Sequence, residues 1–275
     1  MYYDLGIIFN DKDKDKKNLI DFYELLTSAI IDGYKIIAIN IIRSGIVDKE
    51  NINNIEINKI LFNNKDNELI KEIYSKYCIK FLNGENSKLI NWNKIKILSK
   101  ITIEINDMKE IYQFSNQNNF ISNFDILSIK PKNDKIFEYI LSSDINTDII
   151  TLDLEEKFSF IQNKKLILLS LKKNYFYEIF YGKFITNNES RGTFISNFLL
   201  LNEIIKGKNL ILSSFSNNFF MQRSPYDLIT IFQTLFEINN NIIKQLISEN
   251  CEKLIIKTIQ RKFYKSTIDV KIIDK

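Results

Sequence analysis

The stretch IKILSKITIEINDMKEIYQFSNQNNFISNFDILSIKPKNDKIFEYILSSDINTDIITLDL, Ile95–Leu154, decides the fold. Its pattern changes period four times. Residues 95–105 read as a strand and 108–122 as a helix. Residues 124–132 return to a strand, 135–144 to a helix, and 148–154 to a strand. Strands that alternate with helices are joined by crossovers, and crossovers give parallel pairing.

The same alternation extends outward on both sides. Upstream, YYDLGIIF (2–9) reads as a short strand. LIDFYELLTSAIIDGY (19–34) has helical spacing and an Asp-Gly stop. KIIAINII (35–42) is the unbroken β-branched run of a strand covered on both faces. Downstream, KLILLSL (165–171) with YFYEIFY (175–181) reads as one or two strands, and 191–208 as a helix. NLILSSF (209–215) is a strand and 226–237 a helix, followed by one last helix over 240–263. Residues 47–93 are rich in Asn and charge and read as an insertion with its own helix near 67–81. The expected fold class is α/β: a single TIM-like (β/α) barrel of about seven mostly parallel strands. It carries an inserted helical segment and an extra C-terminal helix, as one domain over 1–275.

Composition narrows the chemistry. The chain has no histidine, which removes His triads, His-ligated zinc and the usual neutral-pH proton shuttle. Cys78 and Cys251 form no CxxC pair and read as small buried side chains. No Gly-x-Gly-x-x-Gly follows the first strand and no GxxxxGK[ST] occurs, so dinucleotide and P-loop readings are poor. No apolar run is long enough to span a bilayer and no secretory signal opens the chain, so a soluble intracellular protein with no membrane partner is expected. Residues 1–160 hold 21 Lys/Arg against 25 Asp/Glu, and residues 161–275 hold 17 against 9, so the halves carry −4 and +8. The basic half is the side on which a polyanion would bind.

Candidate site residues cluster in that half, and each has two readings. Lys206 and Lys208 flank Gly207, either as a helix stop with cations at its negative end or as phosphate contacts. Ser213 and Ser214 are either a strand end turning polar or donors to phosphate. Ser224, Pro225 and Asp227 are explained as helix caps. Arg223 is not needed by the cap; it either meets phosphate beside the helix start or pairs with Asp227. Arg191 opens a helix in a chain whose default cation is Lys. Asp4, Asp107, Asp125 and Asp153 lie at or near strand ends; Asp107 and Asp125 read as boundary residues and Asp4 as a structural bond, so a carboxylate metal site is not expected.

Taken in order, these motifs resemble a known family. They are Asp4-Leu5, "GYKIIAIN" (33–40), "ILSKITIEIND" (97–107), "DIITLDLEEKFSF" (148–160), the block KGKNLILSS…RSPYDL, and "ISENCEKLI" before "RKF". The pattern is similar to that of the 30-kDa protein subunit of ribonuclease P and RNase MRP. The resemblance implies a TIM-like barrel related to metal-dependent phosphoesterases but without their metals. It implies a non-catalytic subunit that binds ribonuclease P RNA, and MRP RNA, while that RNA carries the active site and its Mg²⁺ in removing the 5′ leader of precursor tRNA. It also implies that the protein itself binds no cofactor. A small α/β ribonuclease P subunit is the implied protein partner, and the implied location is nuclear and nucleolar. Arg191, Lys206, Lys208, Ser213, Ser214 and Arg223 fall on the family's basic and polar motif positions as RNA-binding candidates, with Ser224, Pro225 and Asp227 as caps. Two other classes stay open at this point: a metal-dependent phosphoesterase on the same barrel, and a barrel serving only as a protein scaffold.

Overall fold

The computed structural model describes residues 1–9, 16–45, 95–116, 123–143, 145–156 and 163–263. Seven parallel strands follow one another around a barrel in sequence order. They are β1 (Tyr2–Ile8), β2 (Tyr34–Ser44), β3 (Lys96–Ile105), β4 (Ile126–Pro131), β5 (Ile149–Leu152), β6 (Phe176–Phe180) and β7 (Leu210–Ser213). The crossovers carry α1 (Lys16–Ile31), α2 (Met108–Asn116), α3 (Asp134–Ser142), α4 (Lys164–Lys172), then α5 (Tyr181–Thr186) with α6 (Arg191–Ile205). A 3-10 turn (Phe219–Met221) leads to α7 (Pro225–Phe236), α8 (Asn240–Leu246) and α9 (Glu249–Phe263). The inserted helix expected near 67–81 lies outside the described residues, as do the ends of the helices drawn to 122 and 144.

β1 and β7 share no ladder, yet they meet. A Cβ at Gly6 would stand 2.8 Å from Ser213 Cβ and 3.1 Å from the Phe215 nitrogen, so only glycine allows this approach. Asp4 closes the seam by accepting from Ser214 N at 3.0 Å and from Gly6 N at 3.1 Å. Ile8 N also donates to Ser216 O at 2.8 Å. The structural bond expected of Asp4 is therefore the one that stitches first strand to last.

Two apolar layers follow from the strand alternation. Residues facing outward pack with the helices into the main core. Inside the barrel, at the strand starts, Tyr3, Leu5, Leu98, Ile126, Phe176 and Ile211 form a second core together with Cys251 and Leu254 of α9. The last helix is thus a plug.

Two expectations need correction. KLILLSL is not a strand but α4, capped by Asn163, whose side chain accepts from Leu166 N. β5 and β6 are adjacent and parallel, and parallel neighbours need a crossover, which a strand cannot supply. Only Ile167 and Ser170 of α4 are buried, so its unbroken apolar run misled. The single helix drawn over 240–263 is two. The break at Ile247–Ser248 lets the Ile247 carbonyl accept from Tyr3 N at 3.0 Å, which turns α9 under the barrel.

Candidate functional site

Above the inner apolar layer the same alternation brings polar residues to the barrel axis. Lys100 of β3 and Glu178 of β6 face each other there, fully buried, as an ion pair. Lys100 Nζ also donates to Leu5 O at 2.9 Å. Glu178 accepts from Ser213 Oγ at 2.7 Å and from Thr151 Oγ1 at 2.9 Å. Burial pulls the Lys100 ammonium below the usual lysine value, and the Glu178 carboxylate opposes that pull. Asn40 accepts from Thr102 Oγ1 at 2.8 Å, while its Nδ2 has no partner among the described residues.

At the strand ends the barrel mouth holds a second, larger network. Lys130 Nζ lies 3.0 Å from Glu104 Oε1 and 3.0 Å from Asp153 Oδ2. Lys183 Nζ lies 2.7 Å from the same Asp153 oxygen and 3.3 Å from Glu155 Oε2. Lys132 approaches Glu104 at 3.6 Å, and Ser190 Oγ donates to Glu155 at 2.6 Å. Burial works against ionisation of Asp153, but Lys130 and Lys183 outweigh it and hold the carboxyl below its ordinary range. Glu104 is lowered in the same way, burial being outweighed by Lys130 and Lys132. Lys130 is opposed by burial yet raised by Asp153 and Glu104. Every carboxylate of the mouth network faces a lysine, and no group of three or more His, Cys, Asp or Glu converges among the described residues.

The residues singled out in the sequence do not form one site. Ser213 and Ser214 are 1% and 0% exposed, which puts them out of reach of any external ligand. Ser213 bonds Glu178, and Ser214 Oγ pairs with Ser216 Oγ at 2.9 Å. Arg191 turns back on the chain: Nε donates to Phe184 O at 3.2 Å, and Nη2 donates to Ile185 O at 3.2 Å and Asn188 Oδ1 at 2.6 Å. It thereby fastens the start of α6 to α5. Lys206 and Lys208 are exposed around Gly207, with Lys206 in the left-handed region at φ 51° as the α6 C-cap. Asn250 of α9 donates to Gly207 O at 2.7 Å and keeps that turn at the strand start.

Around Arg223 the caps behave as the sequence suggests. Ser224 is the α7 N-cap and accepts from Asp227 N, with Pro225 opening the helix. Arg223 does not pair with Asp227 among the described residues; its Nη1 donates to Phe220 O at 2.8 Å and Gln222 O at 2.6 Å. Two buried phenols grip its backbone. Tyr34 Oη donates to Arg223 O at 2.9 Å, and Arg223 N donates to Tyr181 Oη at 3.3 Å. Asp32 stands nearby; burial and the like charge of Asp227 raise its pKa, and Arg223 opposes them.

Sequence reasoning missed the axial pair and most of the mouth network. One signal was present: in KILSKITIEI, Lys100, Thr102 and Glu104 fall on alternate positions, which marks one polar face of an otherwise apolar strand. Arg261 and Asp148 were missed as well. Arg261 Nε donates to both Asp148 oxygens at 3.0 Å and locks α9 beneath the barrel.

Comparison with known proteins places this geometry. The sequence profile of the family described as "RNase P subunit p30" matches residues 1–263. The chain is 29% identical over 168 residues to ribonuclease P protein subunit p30 of Mus musculus, covering 61% of this chain and 62% of that protein. It is 25% identical over 176 residues to Protein GAMETOPHYTE DEFECTIVE 1 of Arabidopsis thaliana, covering 64% of this chain and 30% of that protein. These alignments thus span less than two thirds of the relatives' own lengths. One chain of a cryo-EM structure of archaeal ribonuclease P with mature tRNA shares the fold, at TM-score 0.60 and 17% identity, with 99% of this chain and 98% of that chain covered.

Proposed function

The chain belongs to the RNase P subunit p30 family, and from that premise we propose that it is an RNA-binding, non-catalytic subunit of a ribonuclease P ribonucleoprotein. The family match over residues 1–263 is the observation that carries the reading. The proposed RNA partner is the catalytic RNA of that particle, with the related RNase MRP RNA as a second. Precursor tRNA is met indirectly, and a small α/β protein subunit is the proposed protein neighbour. Mg²⁺ belongs to the RNA in this proposal, and the proposed location is the nucleus and nucleolus.

Two features of the chain support a role without chemistry of its own. It has no histidine to move protons near neutral pH. The carboxylates at the barrel mouth, where such folds place their reactive groups, are each neutralised by a lysine of the same chain. A phosphoesterase reading would need those carboxylates to be available. The exposed Lys206 and Lys208 remain candidates for phosphate, while the buried Ser213 and Ser214 do not.

The test is to purify the tagged protein from cells and sequence the RNA that comes with it. One structured RNA together with precursor tRNA is the expected outcome, and recovery of no specific RNA refutes the proposal. Cleavage of precursor tRNA by the pure protein alone would refute the non-catalytic assignment.

A further inference from the structure

The loop between β7 and α7 holds two adjacent phenylalanines out in solvent. Phe219 is 60% exposed and Phe220 is 79% exposed. Their rings stand edge to face, 6.1 Å apart at 81°. Neither serves the core, whose aromatics are elsewhere and buried.

This loop is held firmly beneath the rings. Gln222 donates to Asp4 Oδ2 at 3.2 Å and accepts from Ser216 Oγ at 2.9 Å. Met221 is buried, and Tyr34 and Tyr181 grip the backbone of Arg223. Arg223 Nη1 is fixed on two loop carbonyls. Its Nε and Nη2 have no hydrogen bond among the described residues.

We propose that this loop is a stacking platform for unpaired RNA bases, in which Phe219 and Phe220 receive base faces and Arg223 takes the adjoining phosphate. The inference rests on the RNA-subunit reading and names the kind of RNA that one surface takes. Three arguments favour it. Exposed aromatic faces on a rigid support meet any base without sequence preference, because every base has a π-face. A guanidinium with a free edge suits a phosphate better than an ammonium does. The loop also lies in the half of the chain that carries a balance of +8. Asp32 offsets part of the Arg223 charge. Stacking is therefore the larger share of the interaction, and that share depends little on salt. Paired RNA keeps its base faces inside the duplex and gains nothing from the loop.

The test uses the full chain and two labelled probes, an oligoadenylate of about twelve nucleotides and a paired RNA hairpin of similar size, read by fluorescence anisotropy. The joint change Phe219→Ala and Phe220→Ala is expected to weaken oligoadenylate binding about ten-fold. It should leave the hairpin affinity and the salt slope of oligoadenylate binding unchanged. Phe220→Trp keeps the binding, whereas Phe220→Leu loses it, because leucine has the apolar area but no π-face. Unchanged oligoadenylate binding in the alanine variant overturns the platform. Leucine serving as well as tryptophan also overturns it, because binding then needs no π-face. A wild-type chain that binds the hairpin but not oligoadenylate overturns the platform alone. A wild-type chain that binds neither overturns both this inference and the RNA-subunit reading.

Discussion

Lys130 Nζ sits 3.0 Å from Asp153 Oδ2 at the mouth of the barrel, with both side chains nearly sealed from water. The same ammonium reaches Glu104 at 3.0 Å, so one lysine of β4 ties the ends of β3 and β5 together. A fixed cation belonging to the chain holds the strand ends in register.

This arrangement makes acid stability depend on Lys130. Asp153 and Glu104 are both held below the ordinary carboxylate range, against the cost of burial. Their stabilisation is present above the unfolded values of about 3.9 and 4.3 and is lost as pH falls through the lower folded values. Lys130 is raised, so its share is present below the unfolded lysine value and lost only at strongly alkaline pH. Lys130→Met is expected to cost about 3 kcal/mol at neutral pH, as for a broken buried pair, and to flatten the acid limb. Urea midpoints measured from pH 7 down to about 3 check this. An acid limb as steep as that of the wild type refutes it.

The axial pair gives a sharper contrast between breaking and replacing. Glu178→Gln leaves the Lys100 ammonium buried without its counter-ion and is expected to cost about 3–5 kcal/mol. Adding Lys100→Met should regain most of that loss, because no charge is then left buried without a partner. Ser213 and Thr151 bond opposite oxygens of Glu178, so the glutamine oxygen accepts from one hydroxyl and its amide nitrogen donates to the other. A double-mutant cycle in denaturant measures the coupling, and additive losses would show that the two residues act independently.

Beneath the barrel, Lys257 should make stability rise with pH. Its amine donates to Asn174 O at 2.9 Å and Asp148 O at 3.2 Å, and it faces the Tyr175 and Phe176 rings. Burial pulls its pKa down to about 8, against the attraction of Asp148. Between that value and the unfolded value of about 10.4 the unfolded chain binds the extra proton, so stability increases across this window. Thermal midpoints at about pH 7.5 and 9.5 should differ more in the wild type than in Lys257→Met. Equal differences would remove Lys257 as the cause.

The basic candidates should separate into two kinds. Lys206 and Lys208 are exposed, and Lys206→Gln with Lys208→Gln is expected to lower the salt slope of RNA binding by about 2. Arg191 is committed to the Phe184 and Ile185 carbonyls. Arg191→Ala should lower the melting temperature and leave the salt slope alone. Titrations at three or more salt concentrations on all variants decide it, and a slope change on losing Arg191 counts against the assignment.

The barrel was legible because alternation of strand and helix forces parallel pairing whatever the residues are. It failed locally at Lys164–Lys172, where Leu168 and Leu169 are exposed while Leu166 and Leu171 are half-buried, so leucines on both faces erase the helical period. The caps around Ser224 were legible because they obey rules confined to four residues. What the axis does was not. Lys100 and Glu178 are 78 positions apart, and nothing local in either strand says that the two face each other. Arg191 and Arg223 stood out as rare residues, but rarity does not tell whether a guanidinium is turned outward or bound to its own backbone. Phe219 and Phe220 were hidden for the opposite reason, since phenylalanine is common in this chain and reads as core.

The meeting of the first strand with the chain reversal at Ile247 sets an order of events in time. Tyr3 leaves the ribosome long before its partners, for its backbone partner is Ile247 and its inner-core neighbours include Cys251 and Leu254. Asp4 likewise waits for Ser214. Such distant partners slow folding, because a long loop must close before its contacts are made. While residues 5–246 are being made, the growing chain therefore has one seam of the barrel open and its apolar floor uncovered. A chaperone able to cover those strand starts would act on the nascent chain until α9 emerges.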